Sequence, residues 1–340
     1  VTTLTLAAPA PAAAPRQVRW LLRLHRPALY VWTGLVVALA AALLWLRGPL
    51  TDAAAAAWRQ YDACQVSWGA TPGSSPCLYD QQAILLYKDV YQYTTFAVLA
   101  LPLLVAAWAG SALTGREMET GTARLAWTQG VSPVRWLAAK LALPAALVTA
   151  GTAVLVLLHH LMWSAGEGRI DTAKTWYDLP TFYAGGPIAV ALALAGLLAG
   201  ALSGLLLRRS LAGLVVAATA VAGLWTAVQL ALPHLWPAVS RVGDLGGVPS
   251  YSGITVDEGL VTATGARVSN PYCGPDSDCL ARYDDAVGFY AEYHPASHYW
   301  PLQLTATAAL LAVAALPAVA AFRLLHRRTT APALGKETSV

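Results

Sequence analysis

The chain has 340 residues, 57% hydrophobic and 12% charged, with a mean hydropathy of +0.51. A soluble domain has roughly a quarter of its residues charged, so the composition excludes one and describes a polytopic membrane protein. The net charge of +4 implies no nucleic acid, and in a membrane chain its distribution matters more than its sum.

Residues 1–15 are rich in Ala and Pro, lack charge and periodicity, and read as a disordered tail. In residues 16–27, Arg16, Arg19, Arg23 and Arg26 recur on one helical face and Val18, Trp20, Leu21, Leu22 and Leu24 fill the rest. That pattern predicts an amphipathic helix lying in the membrane interface; a plain basic flank to the first span fits it equally well.

Six runs are long enough for a hydrocarbon core that needs about 20 apolar residues. They lie at about 28–46, 93–114, 137–162, 186–207, 211–232 and 301–322, within a domain of 28–322 that is followed by a tail of 323–340. A cleavable signal peptide competes for the first run, because Ala53 to Ala57 resemble a cleavage region. The run is long for an h-region of about 7–15 residues, so it is read as a span.

Of the 22 basic residues, 14 fall on the side of the termini and the 115–136 loop and 8 on the other. The positive-inside rule then predicts both termini and that loop to be cytoplasmic, in a cell membrane. Eighteen of the basic residues are Arg in an Ala-rich chain, the bias of a high-GC bacterial genome. Cys64, Cys77, Cys273 and Cys279 all fall in loops assigned to the outside, where disulfides persist. Four cysteines allow three pairings, and Cys64 with Cys77 and Cys273 with Cys279 is the economical one. A zinc site is the rival, but no His stands at finger spacing.

The outer loops, 47–92 and 233–300, hold enough Trp, Tyr, Pro and acid to fold as small caps. The spans are almost empty of ionisable groups: Lys140 lies near one end, and His159 and His160 near the other end of the third span. No titrating group is expected at mid-depth, which disfavours an ion-coupled carrier. No lysine sits in a Walker A motif; Gly335-Lys336-Glu337 lacks the hydroxyl that must follow. Gly196, Gly200 and Gly204 form a flat strip on the fourth span, read as helix packing within the bundle or across a dimer.

The segment 115–136 reads G-R-E-M-E-T-G-T-A-R-L-A-W-T-Q-G-V-S-P-V-R-W and is too polar for lipid. Ser132-Pro133 supplies an N-cap and a first helical residue, so a short helix, a turn and a helix restart are predicted. An ordinary solvated loop is the bland reading. The segment resembles the cytoplasmic loop between the second and third spans of type-2 ABC transporter permeases. The matching positions are Glu117, Glu119, Gly121, Thr122, Arg124, Arg135 and Lys140. Tyr293 to Gln303 resembles the re-entry segment of bacterial members, with His298 where Arg often stands.

The resemblance implies an all-α membrane protein: six transmembrane helices, an N-terminal elbow helix, a cytoplasmic coupling helix and two sizeable extracellular loops. It implies an exporter's permease subunit, not itself an enzyme and without a cofactor, paired as a homodimer or with a second permease. A separate ABC ATPase would bind the ATP and Mg. Glu117, Glu119 and Arg124 would make charged contacts to that ATPase, and Met118, Leu125 and Trp127 the apolar anchor. The alternative class is a non-transport scaffold, sensor or immunity protein whose outer loops bind a partner. A lipid-modifying enzyme is disfavoured, since no cluster of carboxylates or histidines marks a catalytic site.

Overall fold

The structure, a computed structural model, describes residues 23, 25–68, 78–128, 132–171, 173–245, 250–269, 283 and 285–330. The expected tail at 1–15 and nearly all of the expected interface helix lie outside these residues. So do Cys77, Cys273 and Cys279.

Among the described residues six helices are long and apolar enough to cross a membrane. The first combines α1 (Arg26–Trp45), a wide π-helical turn (Leu46–Leu50) and α2 (Thr51–Trp68). Pro49 lies within the wide turn, and the Thr51 hydroxyl donates to the Leu46 carbonyl at 2.6 Å. The helix therefore continues through a residue that cannot donate a backbone hydrogen bond. Beyond it the run of five alanines at 53–57, the best helix formers, carries the helix on, with Ala54, Ala55 and Ala57 buried.

The second combines α3 (Gln81–Trp108), a second π-helical stretch (Ala109–Gly115) and the single turn α4 (Arg116–Glu119). Asp80 caps its start by accepting from the Ala83 N–H. Among its described residues the cap expected over 47–92 is thus largely helix, an extension of the first two spans. A helix rises about 1.5 Å per residue and the hydrocarbon core is about 30 Å thick, so helices of this length must project beyond it. The apolar count located the spans; helix propensity and capping carried the helices further.

After α5 (Thr122–Thr128) come α6 (Pro133–Gly166), the short α7 (Leu179–Ala184), α8 (Pro187–Leu207), α9 (Ser210–Ala231) and, after a β-sheet, α10 (Tyr299–Thr330). Ser132 caps α6, accepting from the Arg135 N–H at 3.3 Å. The central helix is α8. Its buried residues run from Ile188 to Leu205, in contact with α3, the 109–115 stretch, α6, α9 and α10. The glycine strip makes this closeness possible. A Cβ on Gly196 would lie 2.6 Å from the Pro102 carbonyl oxygen, and one on Gly200 would lie 2.6 Å from that of Ala106. One added on Gly204 would meet Thr114 and the Gly115 backbone. The strip therefore faces the second span, inside this bundle.

Between α9 and α10 the chain forms a four-stranded antiparallel sheet in the order β1 (Val239–Gly243), β4 (Ala286–His294), β2 (Ile254–Thr262), β3 (Arg267–Ser269). β4 lies between β1 and β2 and is largely buried. The sheet joins the bundle through Ile254, which belongs to the apolar cluster at that end, and through His294, whose Nε2 lies 3.0 Å from the Pro233 carbonyl. Tyr290 donates to Asp257 at 2.8 Å, and burial, followed by that acid, pushes its pKa up to about 12.

Two large apolar clusters make up most of the helical core, beside a small one of Ala106, Ala217 and Val221. One, at the sheet end, gathers Tyr87, Tyr91, Trp176, Phe182 and Tyr183 with Leu43 and Leu302. The other, at the end carrying residues 115–136, gathers Leu113, Ala123, Trp136, Leu137, Leu205 and Leu325.

Candidate functional site

The 115–136 segment is held against the bundle by its two acids, which point to different spans. Lys140, on the first turns of α6, is 2% exposed. An ammonium taken out of water requires a partner, and three neighbours meet it. Its Nζ is paired with the Glu117 carboxylate, donates to the Leu113 carbonyl at 3.1 Å, and lies 5.1 Å from the centre of the Trp136 ring. Leu113 belongs to the π-helical end of the second span. One lysine thus joins the third span to the point where the second span enters the loop.

Glu119 turns the other way. Its Oε2 accepts the backbone N–H of Ser210 at 2.9 Å, the first residue of α9. The opening N–H groups of a helix have no partner within it and carry the positive end of its dipole. A carboxylate there stabilises the helix start and ties the loop to the fifth span. The turn that brings Ser210 within reach is tight, with Arg208 left-handed at φ 54°.

Between these anchors the loop folds on itself. Thr120 donates from its side chain to the Arg116 carbonyl at 2.9 Å and ends α4. Gly121 follows at φ 74°, a conformation that favours glycine. α5 then turns Ala123 fully inward, and Trp127 packs edge-on against Trp136, with ring centres 5.7 Å apart at 89°. Met118 and Trp127 belong to the protein's own apolar cluster.

The segment therefore has two faces. Glu117, Met118 and Trp127 face the bundle, while Arg116, Glu119, Thr120, Thr122, Arg124, Leu125, Thr128, Val134 and Arg135 are exposed. Of the expected apolar anchor, only Leu125 is presented outward, at 59% exposure. Met118 and Trp127 are committed to the chain's own packing, because a short helix beside a core keeps its larger apolar groups on the core side. Glu117, expected to contact a partner, is instead the counter-ion of Lys140.

His25 lies just before α1, edge-on to Trp108 with ring centres 6.0 Å apart. Burial lowers its pKa below the ordinary value, Lys140 adds to that and Glu117 opposes it. No group of three or more His, Cys, Asp or Glu able to hold a metal occurs among the described residues.

A family model described as ABC-2 membrane transporter related matches residues 33–233, more than half of the chain. The chain belongs to this family. The match runs from the first span to the end of the fifth and includes the whole 115–136 segment. It stops before the β-sheet and α10. Comparison with curated proteins and with solved structures gives no match. Family membership and the six apolar helices together make this a multi-pass membrane protein of the transporter-permease kind.

Sequence reading did not find the Lys140–Glu117 pair or the Glu119–Ser210 bond. One signal for the first was present: a single lysine inside an apolar run requires a counter-ion, and the nearest acids in sequence on that side are Glu117 and Glu119. No signal announced the second, because its donor is a backbone N–H.

Proposed function

We propose that this chain is the membrane-spanning subunit of an ABC exporter, driven by ATP hydrolysis on a separate ATPase that docks on the exposed face of residues 115–136. Both termini and that segment are then cytoplasmic, and the sheet and α2 lie outside the cell. Family membership supports pairing with an ABC ATPase, and the distribution of basic residues supports the orientation. Cys64 is disulfide-bonded; its pairing with Cys77, and that of Cys273 with Cys279, rests on their nearness in the sequence and on the external side proposed for them.

The observation that carries the reading is the two-faced loop. Its two acids grip the third and fifth spans through Lys140 and Ser210, while Arg124 and Leu125 are exposed at its outer face. A load on the outer face reaches two spans at once, as conversion of ATPase closure into rigid-body movement of helices requires.

The test is co-purification of the partner ATPase with wild-type protein and with Arg124→Glu and Leu125→Asp at equal membrane expression. A lost charge-assisted contact is worth about 1.5–3 kcal/mol, so retention of the ATPase should fall roughly tenfold or more. On a merely solvated loop each change stays within about 0.5 kcal/mol. Undiminished retention and ATPase activity with both variants would remove this face as the docking site.

A further inference from the structure

A laterally open cavity lies between α1, α3 and α6. It has a volume of roughly 240 Å³, and its walls are apolar, among them Trp32, Leu35, Leu104, Pro144 and Leu147. Val31 and Leu104, at its rim, are 71% and 54% exposed on the outer surface of the spans, so the mouth faces the membrane. Trp32 crosses to α6, donating from its indole nitrogen to the Leu147 carbonyl at 3.3 Å.

The polar groups of this cavity are confined to the end nearest the 115–136 segment, where His25 and Lys140 line it. The Nε2 of His25 is buried and has no hydrogen-bond partner among the described residues. An orphaned polar nitrogen at the edge of an apolar cavity is costly unless something meets it. An ammonium has three donors, and two of those on Lys140 are taken, by Leu113 and Glu117. The charged groups nearest His25 are Arg23 and Arg26 beside it in the chain, Lys140, and Glu117 as the one acid. A slot that is apolar along its length, open to the bilayer, and lined at one end by N–H donors of His25 and Lys140, with three basic groups against one acid close by in the chain or in space, is complementary to an acyl chain headed by an anionic oxygen acid.

We propose that this groove binds one such amphiphile, its chain along Trp32, Leu35 and Leu147 and its carboxylate or phosphate oxygen accepting from His25 Nε2 and Lys140 Nζ. The site lies on the outside of the bundle, away from the glycine-lined contact between α3 and α8, and does not depend on the chain being a transporter. A fatty acid and an anionic phospholipid share this chemistry, and the experiment separates them.

Full-length protein in nanodiscs is photolabelled with palmitic acid or with phosphatidylglycerol, each carrying a diazirine in the acyl chain, and the labelled peptides are mapped. The expected result is labelling by one or both probes concentrated on residues 28–35 and 139–148, several-fold above the lipid-facing start of α9 at 211–216. Filling the groove from either wall, with Ala139→Phe or Ala28→Phe, should abolish that excess and leave the α9 signal unchanged. His25→Ala should lower it roughly fivefold, the worth of about one hydrogen bond. Which probe labels identifies the head as carboxylate, phosphate or either. Equal labelling of all lipid-facing segments, or an excess that survives both filling variants, overturns the proposal. So does efficient cross-linking of Trp20→Cys to Leu104→Cys, which would place the chain's own N-terminal residues in the groove.

Discussion

Replacing Glu117 by Ala removes the counter-ion from an ammonium whose side chain is 1% exposed, while Glu117 itself keeps 19%. Breaking a buried pair by deleting one partner costs about 3–5 kcal/mol, because the remaining charge stays buried. Partial access of water to the pair places this case near about 3 kcal/mol. Lys140→Met is the milder change: the carboxylate left behind can reach water, and a methionine fits the apolar surroundings, so about 1–2 kcal/mol is expected. The double variant should cost less than the sum of the two, with an interaction energy of about 1–3 kcal/mol. The measurement is reversible unfolding in mixed micelles with rising dodecyl sulfate, followed by tryptophan fluorescence for all four proteins of the cycle. Additive effects, or Lys140→Met proving worse than Glu117→Ala, would refute the pairing and the burial order on which it rests.

Gly200→Leu should destabilise the bundle by about 1–3 kcal/mol or more, since its Cβ would lie 2.6 Å from the Ala106 carbonyl and 2.7 Å from the Ala109 Cβ. Gly223→Ala, with nothing within 4 Å, should be neutral or gain up to about 1 kcal/mol of helix propensity; the same micelle titration reads both. Non-reducing peptide mapping should recover Cys64 linked to Cys77 and Cys273 to Cys279, and four free thiols would refute the pairing; losing one bridge should cost about 2–4 kcal/mol. A reporter fused at Gly130 should be active only on the cytoplasmic side, and an external signal there would reverse the proposed orientation.

The six spans were legible because their signal is one of amount, and a run of some 20 apolar residues has few other folds open to it. The helical continuation through residues 51–68 was obscured by Arg47, Pro49 and Asp52, which read as the end of a span. It depends on a wide turn closed by the Thr51 hydroxyl. The strands around 239–294 were hidden in a segment whose composition says only that it folds. β2 and β4 are each nine residues long, but their pairing joins residues some thirty positions apart, as with Gly259 and Tyr290. In the candidate site, the position of the loop and its restart at Ser132 were readable from capping chemistry. The direction of each side chain was not, because Met118 and Leu125 differ little in character and only the core behind them decides which is covered.

Helices that meet through interlocking side chains must exchange rotamers to move past one another. The second and fifth spans instead come together where Gly110 faces Gly213, with room for no Cβ on either. Along the second span, Gly196, Gly200 and Gly204 continue the same bare surface on the fourth. The contact is close enough to forbid separation without loss of packing, and the Thr114 side chain, seated over Gly204, pins it lengthwise by donating to the Ala201 carbonyl at 3.1 Å. A pull on the 115–136 segment, continuous with the end of the second span, would therefore be handed to the fourth span and not lost in slippage between the two.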